Sequence, residues 1–167
     1  QKSIVLPISL STQFNTHHPY GYNDGSFIPA SGLQTQLSFG VAVKAGPVNL
    51  NLQPELVHAA NPTYPTNGSY GYSSGKTYTK LYGGQSGLSV RASAFCVGIS
   101  TANKWWGPGN TSALIMSNNA PGFANIFIKT HRPAKTPIGN FEFELIGGRL
   151  EIGSNSMLPN LSGLDNL

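Results

Sequence analysis

Charge is scarce in this chain: Asp, Glu, Lys and Arg make up only 10% of its 167 residues, against roughly 25% in ordinary soluble domains. A surface that poor in charge does not suit a freely dissolved globule. The net charge of +4 comes from having only six acids against ten Lys and Arg, and the bases form no run. That argues against nucleic acid as a partner. Cys96 is the single cysteine, which excludes an internal disulfide and a thiol metal cluster. It reads as a small buried residue on a strand. No stretch reaches the roughly 18 apolar residues of a membrane-spanning helix, and no segment shows a helical period. There is also no basic-then-apolar leader. Gln1 runs directly into a strand-like segment, Ser3 to Leu10, as in a mature exported chain whose leader has been removed.

What the chain does have is 20 Gly, 12 Pro and a period of two. From Leu33 to Val43 the odd positions are Leu33, Thr35, Leu37, Phe39, Val41 and Val43, while the even ones include Gln34, Gln36, Ser38 and Lys44 beyond them. Alternation of this kind predicts a strand with one apolar and one polar face. Ala45-Gly46-Pro47 breaks it with a turn, and Val48, Leu50 and Leu52 resume the rhythm, so the pair predicts a hairpin. A second hairpin is expected from Leu88 and Val90 to Phe95, Val97 and Ile99, turning near residues 92–94. Further strands are expected over Ala124 to Lys129 and over Asn140 to Leu145, separated by a break at His131-Arg132-Pro133. Residues 61–84, rich in Pro, Gly, Ser and Tyr, read as a long exposed loop, and residues 153–167 as terminal loop. Short turns alternating with long loops, and strands with one apolar face, suit an outer-membrane barrel.

Several motifs, in order, carry a family resemblance. They are Pro19-Tyr20-Gly21-Tyr22-Asn23-Asp24-Gly25 through Ile28-Pro29-Ala30, then Ala45-Gly46-Pro47 with Gln53-Pro54-Glu55, then Trp105-Trp106-Gly107-Pro108-Gly109, and finally Ser117-Asn118-Asn119-Ala120-Pro121-Gly122-Phe123. Together they resemble the Wzi family of capsule-assembly outer-membrane proteins, in its Bacteroidetes branch. The resemblance implies an all-β fold, an antiparallel transmembrane β-barrel of outer-membrane type. Six or seven strands are too few to close such a barrel, so residues 1–167 are expected to be an incomplete amino-terminal portion of one barrel domain. The resemblance also implies residence in the cell outer membrane and contact with its lipid.

Catalytic patterns are weak. Gly71-Tyr72-Ser73-Ser74-Gly75 has the letters of a nucleophile elbow, but polar loop flanks it where a strand and a helix are required. Glu142 and Glu144, with Glu151 further on, could act as paired carboxylates on a glycosidic bond; a solvated strand face accounts for them equally well. His17, His18, His58 and His131 lack the spacing of a metal site. No catalytic, cofactor or metal residue is assigned.

Binding chemistry is better represented. Trp105 and Trp106 offer flat faces for sugar rings on a loop stiffened by Gly and Pro; the competing reading is an aromatic girdle at the membrane interface. Lys104, with Arg91, His131 and Arg132, offers cationic donors to an acidic polysaccharide. Asn118 and Asn119 suit sugar hydroxyls and also suit a turn. The expected glycan-binding set is therefore Trp105, Trp106, Lys104, Asn118, Asn119 and Arg132. The function expected is that of a lectin-like protein, not an enzyme, which binds surface or capsular polysaccharide and supports capsule assembly or attachment. The alternatives are an accessory or structural subunit of a larger outer-membrane complex, whose loops bind protein, and a surface glycan-active enzyme.

Overall fold

The computed structural model describes residues 2–16, 20–63 and 75–150. His17, His18, Tyr64, Asn67, Tyr70, Tyr72, the serine of Gly71-Tyr72-Ser73-Ser74-Gly75, Glu151, Asn160 and the terminal segment 153–167 lie outside the described residues. The described part is all-β, and its strands pair antiparallel throughout.

A long hairpin opens the chain: β1 (Lys2–Asn15) pairs with β2 (Gly32–Ala45). The next two strands, β3 (Val48–Leu52) and β4 (Glu55–Ala59), are in effect one strand interrupted at Gln53-Pro54, and both pair with β2. Proline cannot donate to a strand ladder, which places the interruption there. Beyond them, β5 (Tyr78–Tyr82) pairs with β4 and β6 (Gly87–Ala92) with β3. β7 (Phe95–Ser100), β8 (Asn125–Thr130) and β11 (Glu144–Gly148) complete the sheet, while β9 (Ala134–Thr136) and β10 (Gly139–Phe141) form a separate small hairpin. The result is one nine-stranded sheet that runs as an up-and-down meander of seven passes, two of them broken, β3 with β4 and β5 with β6. Among the described residues it is open, with β1 and β11 at its edges.

Both expected hairpins are present. Ala45 faces Val48 across Gly46-Pro47, and Gly46 adopts the positive φ of 57° that a two-residue hairpin loop needs. Ala92 faces Phe95 across Ser93-Ala94. Two expectations need correction. The proposed loop 61–84 contains β5, because Leu81 and Thr79 find partners in Leu56 and His58 of β4, a pairing that a short Tyr- and Lys-containing run does not announce. The expected strand over Asn140 to Leu145 is divided: Phe141 pairs back with Ala134, and the main sheet resumes only at Glu144.

Strand register sorts the side chains into two faces. One carries Val43, Leu50, Leu88, Ile99 and Ile126 in a single row, flanked by Val41 and Leu52 and by Val90, Val97 and Ile128. This face is exposed: Ile99 is 56% accessible and Val5, on β1, 83%. The opposite face carries Gln34, Gln36, Ser38, Lys44, Asn49, Asn51, Ser89, Arg91, Lys129 and Glu144. The pairing of β1 shifts between Leu6 and Ser9, around Pro7, and beyond that shift Leu10 and Phe14 join the apolar face while Ser9, Ser11 and Gln13 join the polar one.

The buried residues lie on the polar face. The β1–β2 connection folds against it, burying Ser26, Ile28, Ala30 and Ser31 over Gln34, Val57 and Ala59. Gln34 is fully buried and reads the backbone of Ile28 at both ends: its Oε1 accepts from Ile28 N–H at 3.2 Å and its Nε2 donates to Ile28 O at 2.8 Å. An unpaired amide there would cost about 1–3 kcal/mol, so this contact fixes the connection in place.

Candidate functional site

The polar face has two halves. The half formed by the start of β2 and by β4 is covered by the β1–β2 connection. The half nearer the short turns is an open hollow of about 810 Å³, floored by Lys44, Asn49, Ser89, Arg91, Cys96 and Lys129 and roofed by Trp105, Trp106 and Gly107. Glu142, Glu144 and His131 stand at its margin.

The roof belongs to the β7–β8 connection, which bends inward over the sheet. At its base Gly122 lies so close to Thr101 that a Cβ would sit 1.9 Å from the Thr101 carbonyl oxygen, so only glycine fits. Thr101 Oγ1 donates to Gly84 O at 3.0 Å. Trp105 is held by its own loop, its Nε1 donating to Gly109 O at 2.7 Å, and Trp106 makes an antiparallel bridge with Ile115. Lys104 then ties the connection to the sheet through an ion pair with Glu144 at 2.6 Å, and its ammonium stands 4.9 Å over the Phe127 ring. It is the one ion pair found among the described residues. Removing either partner of such a partly shielded pair would leave a partly buried charge without its counter-ion, which is costly.

The β7–β8 connection also clasps the β1–β2 connection. Tyr22 Oη and Asn23 Nδ2 both donate to Thr111 O, at 2.7 and 2.6 Å. Asn23 N–H donates to Asn119 Oδ1 at 2.7 Å, and Gly25 N–H to Asn118 O at 2.6 Å. Beneath them Ser26 Oγ donates to the buried carboxylate of Glu55, whose other oxygen accepts from Gln85 Nε2 at 3.4 Å; Gln85 also donates to Asn103 Oδ1 at 3.3 Å. One network thus joins both connections to the kinks at Gln53-Pro54 and at Gly83 to Ser86.

The structure brings together Lys104, Trp105 and Trp106 of the expected set, on the polar face and away from the apolar one. The girdle reading of the two tryptophans therefore does not describe their position. The backbone carbonyl of Asn118 and Oδ1 of Asn119 serve the clasp. Arg132 lies exposed on the turn after β8, beside His131 but outside the hollow. Lys44, Asn49, Ser89 and Lys129 were absent from the expected set, although the period of two already assigns Lys44 and Lys129 to the polar side. Of the histidines, His58 stands exposed on the apolar face and hydrogen-bonds Thr79 at 2.7 Å. Glu144, one of the two candidate carboxylates, is taken up by Lys104.

The family model described as capsule assembly protein Wzi matches residues 15–161. This chain belongs to the Wzi family. The match spans the clasp, the hollow and both connections, and membership makes the chain a capsule-assembly protein of an outer-membrane family, a family of assembly proteins and not of enzymes. An all-β antiparallel sheet with one polar and one apolar face is the architecture such a protein requires. No curated protein and no solved structure matches the chain.

Proposed function

We propose that residues 1–167 form part of one outer-membrane β-barrel domain whose inner surface binds capsular polysaccharide, so that the protein works as a lectin in capsule assembly and has no catalytic role. The observation that carries this reading is the position of Trp105 and Trp106, which roof an open hollow on the polar face of a sheet whose other face is apolar and exposed. Lipid suits the apolar face. The polar face then lines a water-filled interior, where an aromatic pair held by its own loop can stack on sugar rings. Asn49 and Ser89 supply hydrogen-bonding groups on the floor. Lys104 and the Asn118-Asn119 clasp act by holding the loops that present the tryptophans. Short turns are periplasmic in such barrels, so the turn at Gly46-Pro47 would face inward and the long connections outward. Each sugar contact is weak, and a repeating polymer multiplies it.

The test is binding of purified capsule polysaccharide to the full protein folded in detergent. Replacing Trp105 and Trp106 together by alanine is expected to weaken binding about tenfold or more, from loss of two stacking contacts. Unchanged affinity and unchanged capsule retention on cells would remove the proposal.

A further inference from the structure

We infer that the hollow selects an anionic saccharide, a polymer whose repeat carries carboxylate groups, and that Lys44, Arg91 and Lys129 provide the selection. This rests on the polysaccharide-binding reading of the same hollow. The three cations are distant in sequence and are aligned by register: Lys44 faces Asn49, Asn49 faces Ser89, Arg91 faces Cys96, and Cys96 faces Lys129. All three therefore point to the floor beneath the tryptophans.

Their charge is not cancelled locally. Of the two acids at the margin, Glu144 is already engaged by Lys104, which leaves Glu142 against three cations. Lys44 and Lys129 form no ion pair among the described residues; the Lys129 ammonium lies 5.4 Å over the Phe127 ring. Arg91 is oriented by donating from Nη2 to Gly46 O at 2.9 Å, with Nη1 3.4 Å from His131 Nε2. Nη1 and Nη2 each carry a second N–H beyond these contacts, and Arg91 lines the hollow. Positive charge in a concavity with low-dielectric walls concentrates the field and favours an anionic ligand. A uronate-type sugar meets both halves of the site, its ring against the tryptophan roof and its carboxylate against the cationic floor. The hollow opens on the polar face, opposite the lipid-facing one, so the anion arrives on a soluble chain and not on a lipid headgroup.

The experiment uses the full protein in detergent with a uronic-acid polysaccharide and the same polymer after carboxyl reduction to its neutral form. Wild type is expected to prefer the acidic polymer about tenfold at low salt, with the preference shrinking as ionic strength rises. The K44Q/K129Q variant should reduce that ratio to about twofold, while K44R/K129R should retain it. Equal binding of both polymers by wild type, or a K44Q/K129Q variant with the full preference, would overturn the anionic selection and leave polysaccharide binding standing. If wild type binds neither this acidic polymer nor its neutral form nor purified capsule polysaccharide, both readings fall together.

Discussion

The two faces of this sheet are built from the same strands, yet they solve opposite problems. On one, Val43, Leu50, Leu88, Ile99 and Ile126 form a row that nothing among the described residues covers. On the other, Gln34 and Glu55 are buried with their polar atoms matched to Ile28, Ser26 and Gln85. A water-soluble sheet reverses this arrangement, packing its apolar side and wetting its polar one. The inversion shows that the chain folds its own connections onto the polar side and leaves the apolar side to a different solvent.

The largest effect expected from breaking this contrast is a charge on the apolar face. Ile99→Lys should lower stability in a bilayer by about 2–4 kcal/mol, whereas Ser89→Lys, one pairing away on the polar face, should change it by about 0.5 kcal/mol or less. Urea titration of protein folded into lipid vesicles measures both, and equal costs would remove the assignment of faces. Next in size, Gln34→Ala strips both ends of Ile28 of their partner and should cost about 2–3 kcal/mol. Hydrogen exchange should show this as faster exchange of the Ile28 amide than of amides in β7. Smallest is Lys104→Met, which leaves Glu144 unpaired and should loosen the β7–β8 connection by about 1–2 kcal/mol. Exchange of the Trp106 amide, bonded to Ile115 O at 3.2 Å, reports it.

The strands with strict alternation were legible before any coordinates. β2, β3 and β8 each carry enough consecutive apolar and polar positions to fix which side faces which medium. β5 was not legible, because Tyr78–Tyr82 has only Leu81 as an aliphatic anchor and depends on β4 for its partner. Phe141 shows the reverse failure: its spacing from Phe143 and Leu145 imitates a continuous strand, but the chain turns back on Ala134 first. Phe143 instead stacks near Phe95 and Phe141, with ring centres 6.1 and 6.3 Å away.

The motifs behind the family resemblance gain a physical meaning from the structure. Asn23 and Gly25 of the first meet Asn118 and Asn119 of the last, Ile28 and Ala30 form the buried plug, and Glu55 of Gln53-Pro54-Glu55 receives the hydroxyl of Ser26. They are the parts that fill and tie the interior. Within the expected glycan set, Lys104 and Asn119 also make ties of this kind, which the sequence did not show because Asn, Lys and Trp in a loop look alike until their partners are known.

Local alternation, turn chemistry and scarcity of charge were enough, by themselves, to determine an antiparallel sheet with one greasy and one wet face, since those properties depend on neighbours two residues apart. Which loops fold inward, and which cations meet beneath the tryptophans, was decided only in three dimensions. Lys44, Arg91 and Lys129 are brought together by strand register, and register is set by pairing across the sheet, which no single segment carries.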